Sequence, residues 1–256
     1  MEHCNFKKMN MKKSIIIISV SAFILVGCGE SQNDETHKNE EPQKNEMHKN
    51  VASHNDKIHE NHSMKTLSVE KRIAFMSGHV EAGLSLYRAG KPDQAAKHLL
   101  HPVSEMHQAE RAGIDALGFK PEVFKSVSKA LDEGKPASEI EPMLTEAEEN
   151  IALLQKNVGG DIAEIILFLM ETVVEEYNAG VSDGKIVESG EYQDAFGFSV
   201  VALKMSKRME GDKSAQLIEE LTKLVEMWPE GGPLADSTPE PVEAVIKQTK
   251  NVIKNV

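Results

Sequence analysis

The chain has 256 residues and a formal net charge of −12, with 41 acidic residues against 29 basic ones. A surface this acidic repels phosphate backbones, which excludes nucleic acid as a partner and disfavours peripheral docking on anionic lipid. Excess carboxylate suits cations, although acidity is also a common route to solubility.

The N-terminal segment carries a short apolar run that ends in a cysteine. Two lysines precede a hydrophobic stretch over 15–26, and the residues Leu-Val-Gly-Cys close it at 25–28. A dozen apolar residues are too few for a helix that crosses a bilayer, which needs about 20. The arrangement resembles the signal of bacterial lipoproteins, which implies that residues 1–27 are removed and that Cys28 receives acyl chains such as palmitate. We therefore expect the protein to be lipid-anchored to a bacterial membrane, facing the extracytoplasmic side. The alternative, an uncleaved anchor helix, leaves Cys28 unexplained.

Residues 28–65 form a polar segment with almost no large apolar side chains. Such a segment cannot bury enough surface to offset its ordering entropy, so it is predicted to be a disordered tether. Imidazole is a common ligand for transition metals, and histidine-rich tracts collect them weakly. The histidines are irregularly spaced and no cysteine accompanies them, which excludes a closed structural zinc site. The alternative to weak metal collection is a plain polar spacer. The histidines of this tether are His37, His48, His54, His59 and His62.

Residues 66–256 place apolar side chains at three- and four-residue spacing, without a convincing strand pattern. This spacing predicts a single all-α domain, either a helical bundle or an orthogonal array of about eight to nine helices. Glycines and prolines mark the predicted helix ends. The predicted helices cover about 73–87, 92–100, 103–117, 121–132, 138–157, 161–178, 190–209 and 213–227, and a last helix follows the loop 229–241 and ends near Lys254.

Two stretches of the chain, 86–90 and 176–180, share the sequence Tyr-x-Ala-Gly where a predicted helix ends. The echo indicates either two related helical-hairpin units or only the common use of glycine as a helix stop.

The histidines beyond the tether all lie in the first part of the domain, and none follows His107. His98 and His101 are three residues apart on one short helix, so their rings share a face. We expect a turn at Pro102 to fold the next helix back toward them. Mixed imidazole and carboxylate ligands suit a divalent transition metal such as iron, zinc or copper. The alternative is that the histidines only cap or line helix faces. The predicted metal ligands are His79, His98, His101, Glu105, His107 and Glu110.

A second acidic group lies on two later helices and the turn between them. Because the whole chain is acidic, we interpret this group as a solvated face. A like-charged pair at i,i+4 costs a little free energy unless a cation bridges it. The group comprises Glu171, Glu175, Glu176, Asp183, Glu188, Glu191 and Asp194.

The stretch 173–202 ends one helix in a tyrosine-containing turn, continues through an Asp-Gly turn and opens the next helix with Glu-Tyr. It resembles part of the extracytoplasmic helical domain of Ftr-type high-affinity iron permeases. Since the chain shows no permease span with that family's intramembrane acidic motif, the resemblance implies an accessory role beside such a transporter. The matching residues are Tyr177, Asp183, Gly184, Ile186, Val187, Glu191 and Tyr192.

Catalytic motifs are missing from the sequence, which contains neither a Gly-x-Ser-x-Gly elbow nor a His-Glu-x-x-His zinc-protease helix. We therefore expect a non-enzymatic, membrane-tethered lipoprotein that binds or buffers a divalent transition metal, with iron foremost, for a metal-uptake permease. The alternative is a helical protein–protein interaction scaffold of the cell envelope in which the histidines are incidental.

Overall fold

A computed structural model of the chain describes residues 67–104, 111, 113–211 and 214–256. Within these ranges the backbone forms eight α-helices, which confirms the all-α prediction. None of the described helices combines the length and the apolar composition that a membrane span requires. The leader, Cys28 and the histidine-rich tether lie outside the described residues. The helices are α1 (Val69–Arg88), α2 (Pro92–Leu100), α3 (Pro121–Asp132), α4 (Ala137–Val158), α5 (Ile162–Gly180), α6 (Ser189–Ser206), α7 (Ser214–Val225) and α8 (Val242–Ile253).

The eight helices form two four-helix bundles, one after the other along the chain. In the N-terminal bundle, α1 packs on α2, α2 on α3 and α3 on α4, and α4 returns to α1. The C-terminal bundle repeats this order with α5, α6, α7 and α8. Each bundle has its own hydrophobic core, because the buried apolar side chains divide into two clusters. The two bundles meet chiefly where α1 packs against α6.

Helices α1 and α6 are the central elements of this arrangement. On α1, Ile73 and Met76 belong to the core of the N-terminal bundle, while Phe75 belongs to the core of the C-terminal bundle. On α6, the described residues are buried on nearly every face. A helix that is covered all round lies inside a protein, so polar side chains on α1 and α6 are carried into the interior.

Two glycines let α1 and α6 approach each other closely. A Cβ atom on Gly197 would lie 2.1 Å from the carbonyl oxygen of Gly78, and one on Gly78 would lie 2.1 Å from the ring of Phe198. Neither position therefore has room for a side chain, since a Cβ atom essentially never comes nearer than 3.0 Å to another heavy atom. We call the contact between Gly78 and Gly197 the glycine crossing.

The sequence located most helix ends to within a few residues, but the predicted helix over 103–117 is wrong in its described part. Ser104 has extended backbone, which ends the 3-10 turn His101–Val103. Gly113 has a left-handed backbone angle (φ 83°), and only a second 3-10 turn, Asp115–Leu117, follows it. The spacing of apolar residues suggested a helix here, whereas the backbone makes short turns.

The turn between α5 and α6 is a small β-hairpin, although the sequence indicated only a turn. Strand β1 (Val181–Ser182) pairs antiparallel with β2 (Lys185–Ile186). Asp183 and Gly184 connect the strands, and both have positive φ angles of 50° and 69°. Two positive φ angles define the tight turn that Asp-Gly favours in two-residue hairpins.

The Tyr-x-Ala-Gly echo marks the end of the first helix in each bundle, but its two glycines act differently. Gly90 adopts left-handed backbone (φ 74°) and ends α1 as a glycine stop. Gly180 is the last residue of α5, and a Cβ atom there would lie 2.5 Å from the backbone nitrogen of Tyr192. The second glycine thus allows α5 and α6 to pack closely.

Candidate metal centre

Three buried side chains from three helices converge where the two bundles meet. His79 lies on α1, His98 on α2 and Asp194 on α6, and their exposed fractions are 0%, 7% and 3%. The Nδ1 atom of His79 is 2.7 Å from Oδ1 of Asp194. The Nδ1 atom of His98 is 2.9 Å from the same oxygen. One carboxylate oxygen thus accepts hydrogen bonds from two imidazole rings.

The glycine crossing brings His79 and Asp194 close together. His79 directly follows one of its glycines, and Asp194 lies one helical turn before the other. The short side chain of Asp194 can therefore reach α1. Helix α2 is also close, because a Cβ atom on Gly83 of α1 would lie 3.3 Å from Cβ of His98.

Electrostatics hold this group in a charged state. Burial opposes ionisation of Asp194, but the charges and hydrogen bonds of His79 and His98 outweigh burial and lower the pKa of this carboxyl. Burial also opposes protonation of His98, yet the charge and hydrogen bond of Asp194 raise the pKa of this imidazole. The Nε2 atom of His98 is 2.9 Å from Oε1 of Gln193, whose amide nitrogen donates to Gln94. Since both ring nitrogens of His98 face acceptors, the surroundings favour the protonated form of His98 beside the Asp194 carboxylate.

His101 lies against this group without joining it. Its ring stacks on that of His79, with centroids 3.4 Å apart and planes inclined by 15°. Phe75 packs its ring edge-on against both, at centroid distances of 4.8 Å and 6.3 Å. His101 therefore fixes the orientation of the His79 ring.

A pair of buried carboxyl groups lies nearby. Glu176 on α5 and Glu191 on α6 are 1% and 5% exposed, and their side chains hydrogen-bond each other. Burial, followed by the negative charge and the hydrogen bond of Glu191, raises the pKa of Glu176 well above its ordinary value. Each of two adjacent buried carboxyl groups opposes the ionisation of the other. We call these two residues the carboxylate pair.

The interpretation of the second acidic group as a solvated face is wrong for Glu176, Glu191 and Asp194, which are all buried. It is right for Glu171 and Asp183, which are exposed. The overall acidity of the chain suggested solvation for the whole group. Every residue of helix α6 from Glu191 to Ser199, however, is buried, because this helix packs against α1 as well as against its own bundle.

The predicted ligand set is only partly within the described residues. The structure brings His79 and His98 together and stacks His101 beside them, whereas Glu105, His107 and Glu110 lie outside the described residues. The tether histidines His37, His48, His54, His59 and His62 also lie outside them.

Asp194, which links the two imidazoles, was missing from the predicted ligand set. One signal in the sequence could have identified it. Asp194 is followed by Ala195, Phe196 and Phe198 and by a long apolar stretch, and a charged residue inside such a helix is expected to have a buried partner.

The donor atoms of this group fit a metal ion. One ligand atom each from His79, His98 and Asp194 lies within 4.8 Å of the others, and this is the one such group of three among the residues the structure describes. Ligands at about 2.1 Å from a tetrahedral ion are roughly 3.4 Å apart, so small side-chain movements would suffice. Two imidazole nitrogens and a carboxylate oxygen suit first-row transition metals.

The protein is therefore all-helical in its described part, with a buried cluster of two histidines and an aspartate where its two bundles meet. Residues 155–256 match the family model of the iron permease-associated 4-helix bundle domain. The match covers the last residues of α4 and all of α5 to α8, and it includes the stretch 173–202 whose resemblance to Ftr-type permeases it supports. The comparison with curated proteins and the comparison with solved structures give no match.

Proposed function

We propose that this protein is a non-enzymatic accessory of iron uptake, which binds a divalent transition metal as cargo for a permease. The convergence of His79, His98 and Asp194 in one buried group is the observation that carries the proposal. Iron is the proposed cargo because the C-terminal bundle matches a domain associated with iron permeases.

The cost of this group argues for a function beyond folding. Burying ion pairs costs desolvation free energy, and well-packed apolar side chains usually stabilise a core equally well or better. Here the side chains of His79, His98, Asp194 and the carboxylate pair are all buried. A purely structural scaffold has no need of so many ionisable groups in one place.

Metal binding to this group should displace protons. Both imidazoles direct Nδ1 at Asp194, and the pKa of His98 is raised by the charge and hydrogen bond of Asp194 despite burial. A metal ion requires neutral imidazole nitrogens, so binding should release protons and weaken as the pH falls. The hydrogen bonds of the metal-free protein thus keep the ligands in place until the ion arrives.

Equilibrium dialysis of the full chain against Fe²⁺ without oxygen, and against Zn²⁺, tests the proposal. The Asp194→Asn variant should bind about one ion fewer per chain with high affinity, because it lacks the carboxylate oxygen that both imidazoles face. Asp132→Asn, which changes an exposed aspartate at the end of α3, is the matched control. The tether histidines are present in all three proteins, so a difference between them reports on the buried group. Equal binding by wild type and Asp194→Asn would favour the protein–protein scaffold.

We further propose that the domain is tethered to the extracytoplasmic face of a bacterial membrane by acyl chains on Cys28. Cys28→Ala should accumulate as an unprocessed precursor that does not partition into detergent. Cys4→Ala should be processed normally, because Cys4 precedes the proposed cleavage site. A Cys28→Ala chain that still matures to the wild-type size would contradict the tether.

A further inference from the structure

One oxygen atom of the carboxylate pair lacks a hydrogen-bond partner among the described residues. Glu176 is 1% exposed, and its Oε2 atom has no hydrogen-bond partner among the described residues. A buried acceptor without a partner costs free energy, and a bound ion is one way in which a protein satisfies such a group. The hydrogen bond to Glu191 therefore leaves part of this carboxyl available.

The surroundings of Glu176 attract positive charge. The largest charge effects on its pKa come from Glu191, Asp194 and Glu175, and these three groups are acidic. Glu191 and Asp194 are three residues apart on α6, so they project from the same face of that helix. The carboxylate pair therefore lies near the His79–His98–Asp194 group, since the charge of Asp194 acts on Glu176 and that of Glu191 acts on His98.

We infer that Glu176 and Glu191 form a second cation position, made of oxygen ligands, beside the imidazole-containing site. This inference rests on the proposed metal-binding function. A cation at this position would neutralise two buried carboxylates and engage the Oε2 atom of Glu176, which has no hydrogen-bond partner among the described residues. Carboxylate oxygens without nitrogen favour a hard ion such as Mn²⁺, whereas the His79–His98–Asp194 group favours Zn²⁺ or Fe²⁺.

The ligands of the two proposed cation positions come from four different helices. His79 comes from α1, His98 from α2, Glu176 from α5, and Glu191 and Asp194 from α6. Four helices thus direct histidine and carboxylate side chains toward one interior region. Bundles that bind two metal ions also combine carboxylates from facing helices with paired ligands three residues apart on one helix, although their pairs are Glu-x-x-His.

The test measures Mn²⁺ and Zn²⁺ binding to the full chain, with free Mn²⁺ followed by its electron paramagnetic resonance signal. Glu176→Gln should weaken Mn²⁺ binding at least about tenfold while high-affinity Zn²⁺ binding persists. Glutamine resembles the protonated acid that the pair already contains, so the variant should fold. Glu191→Gln is the second variant, and thermal unfolding without metal verifies folding in both. Glu171→Gln, an exposed change on the same helix, should bind both ions like wild type.

Each alternative result has a defined meaning. Wild-type Mn²⁺ affinity in Glu176→Gln and Glu191→Gln, or no Mn²⁺ binding by wild type, overturns the second position. Loss of both ions in these two variants shows a single site and also overturns it. Failure of the proposed function looks different, because Asp194→Asn would then bind Zn²⁺ as tightly as wild type.

Discussion

The two bundles share one helix order but supply different chemistry to the interior. The N-terminal bundle provides imidazoles, whereas the C-terminal bundle provides the carboxylates of Asp194 and the carboxylate pair. No histidine follows His107, so the C-terminal bundle has no imidazole of its own. The family match covers the carboxylate half of the candidate site and not the histidine half. The candidate site therefore depends on how the N-terminal bundle packs onto the C-terminal bundle.

Among these variants, the substitution of Asp194, which hydrogen-bonds both histidines, should lower the free energy of unfolding most. Asp194→Asn leaves the buried imidazolium of His98 without its counter-charge, so the free energy of unfolding of the metal-free protein should fall by about 3 kcal/mol. Urea denaturation in the presence of a chelator measures this change. Asp132→Asn should stay within about 0.5 kcal/mol of wild type. Similar small changes in both variants would show that the buried ion pair does not hold the bundles together.

Separating the two bundles at their closest contact should have the next largest effect. Gly197→Ala places a methyl group against the backbone of Gly78, so the free energy of unfolding should fall by about 2 kcal/mol and metal affinity should fall with it. Gly190→Ala is the control on the same helix, because a Cβ atom there meets nothing within 4 Å. The control should be neutral or stabilising by about 0.5 kcal/mol. Equal behaviour of the two variants would contradict the glycine crossing.

The pH dependence of stability should separate the carboxylate pair from the imidazole group. Glu176 has a raised pKa when folded, so its contribution is complete below the unfolded value of about 4.3 and is lost as the pH rises through the folded pKa. The pKa of His98 is also raised, so its contribution to stability is complete below about 6.5 and is lost as the pH rises above that value. Asp194, whose pKa is lowered, loses its contribution only in acid, below about 3.9.

The metal-free protein should therefore become less stable between pH 5 and pH 8, by at most about 1.4 kcal/mol per pH unit for each group. Denaturation series at several pH values measure the slope. Glu176→Gln should flatten it, and Glu171→Gln should keep it. An unchanged slope in Glu176→Gln would mean that the pair holds no proton in this range.

The smallest effect is expected for His101→Ala. His101 stacks on His79 but lies outside the group of three ligands, so its loss loosens the orientation of one ring. Metal affinity in equilibrium dialysis should fall by about tenfold or less. A loss as large as that of Asp194→Asn would show that His101 is itself a ligand.

The sequence was sufficient for the fold class, and its predicted ligand set includes two of the three residues of the candidate site. Regular apolar spacing and glycine stops located the helices, and the clustering of histidines identified His79 and His98. Asp194 could not be assigned because its burial depends on the glycine crossing between α1 and α6, which are more than 100 residues apart in the chain. Local spacing cannot distinguish a carboxylate on a solvated helix from one on a helix enclosed by two bundles. The same reason explains why Glu176 and Glu191 were grouped with exposed residues.

The most direct test of the shared site is the position of the metal itself. Crystals of the full chain grown with Zn²⁺ should show an anomalous diffraction peak bonded to His79, His98 and Asp194 at about 2.0–2.2 Å. Ligands from both bundles around one ion would establish that neither bundle forms the site alone. A bound ion held only by carboxylates of the C-terminal bundle, or only by residues outside the two bundles, would contradict the account.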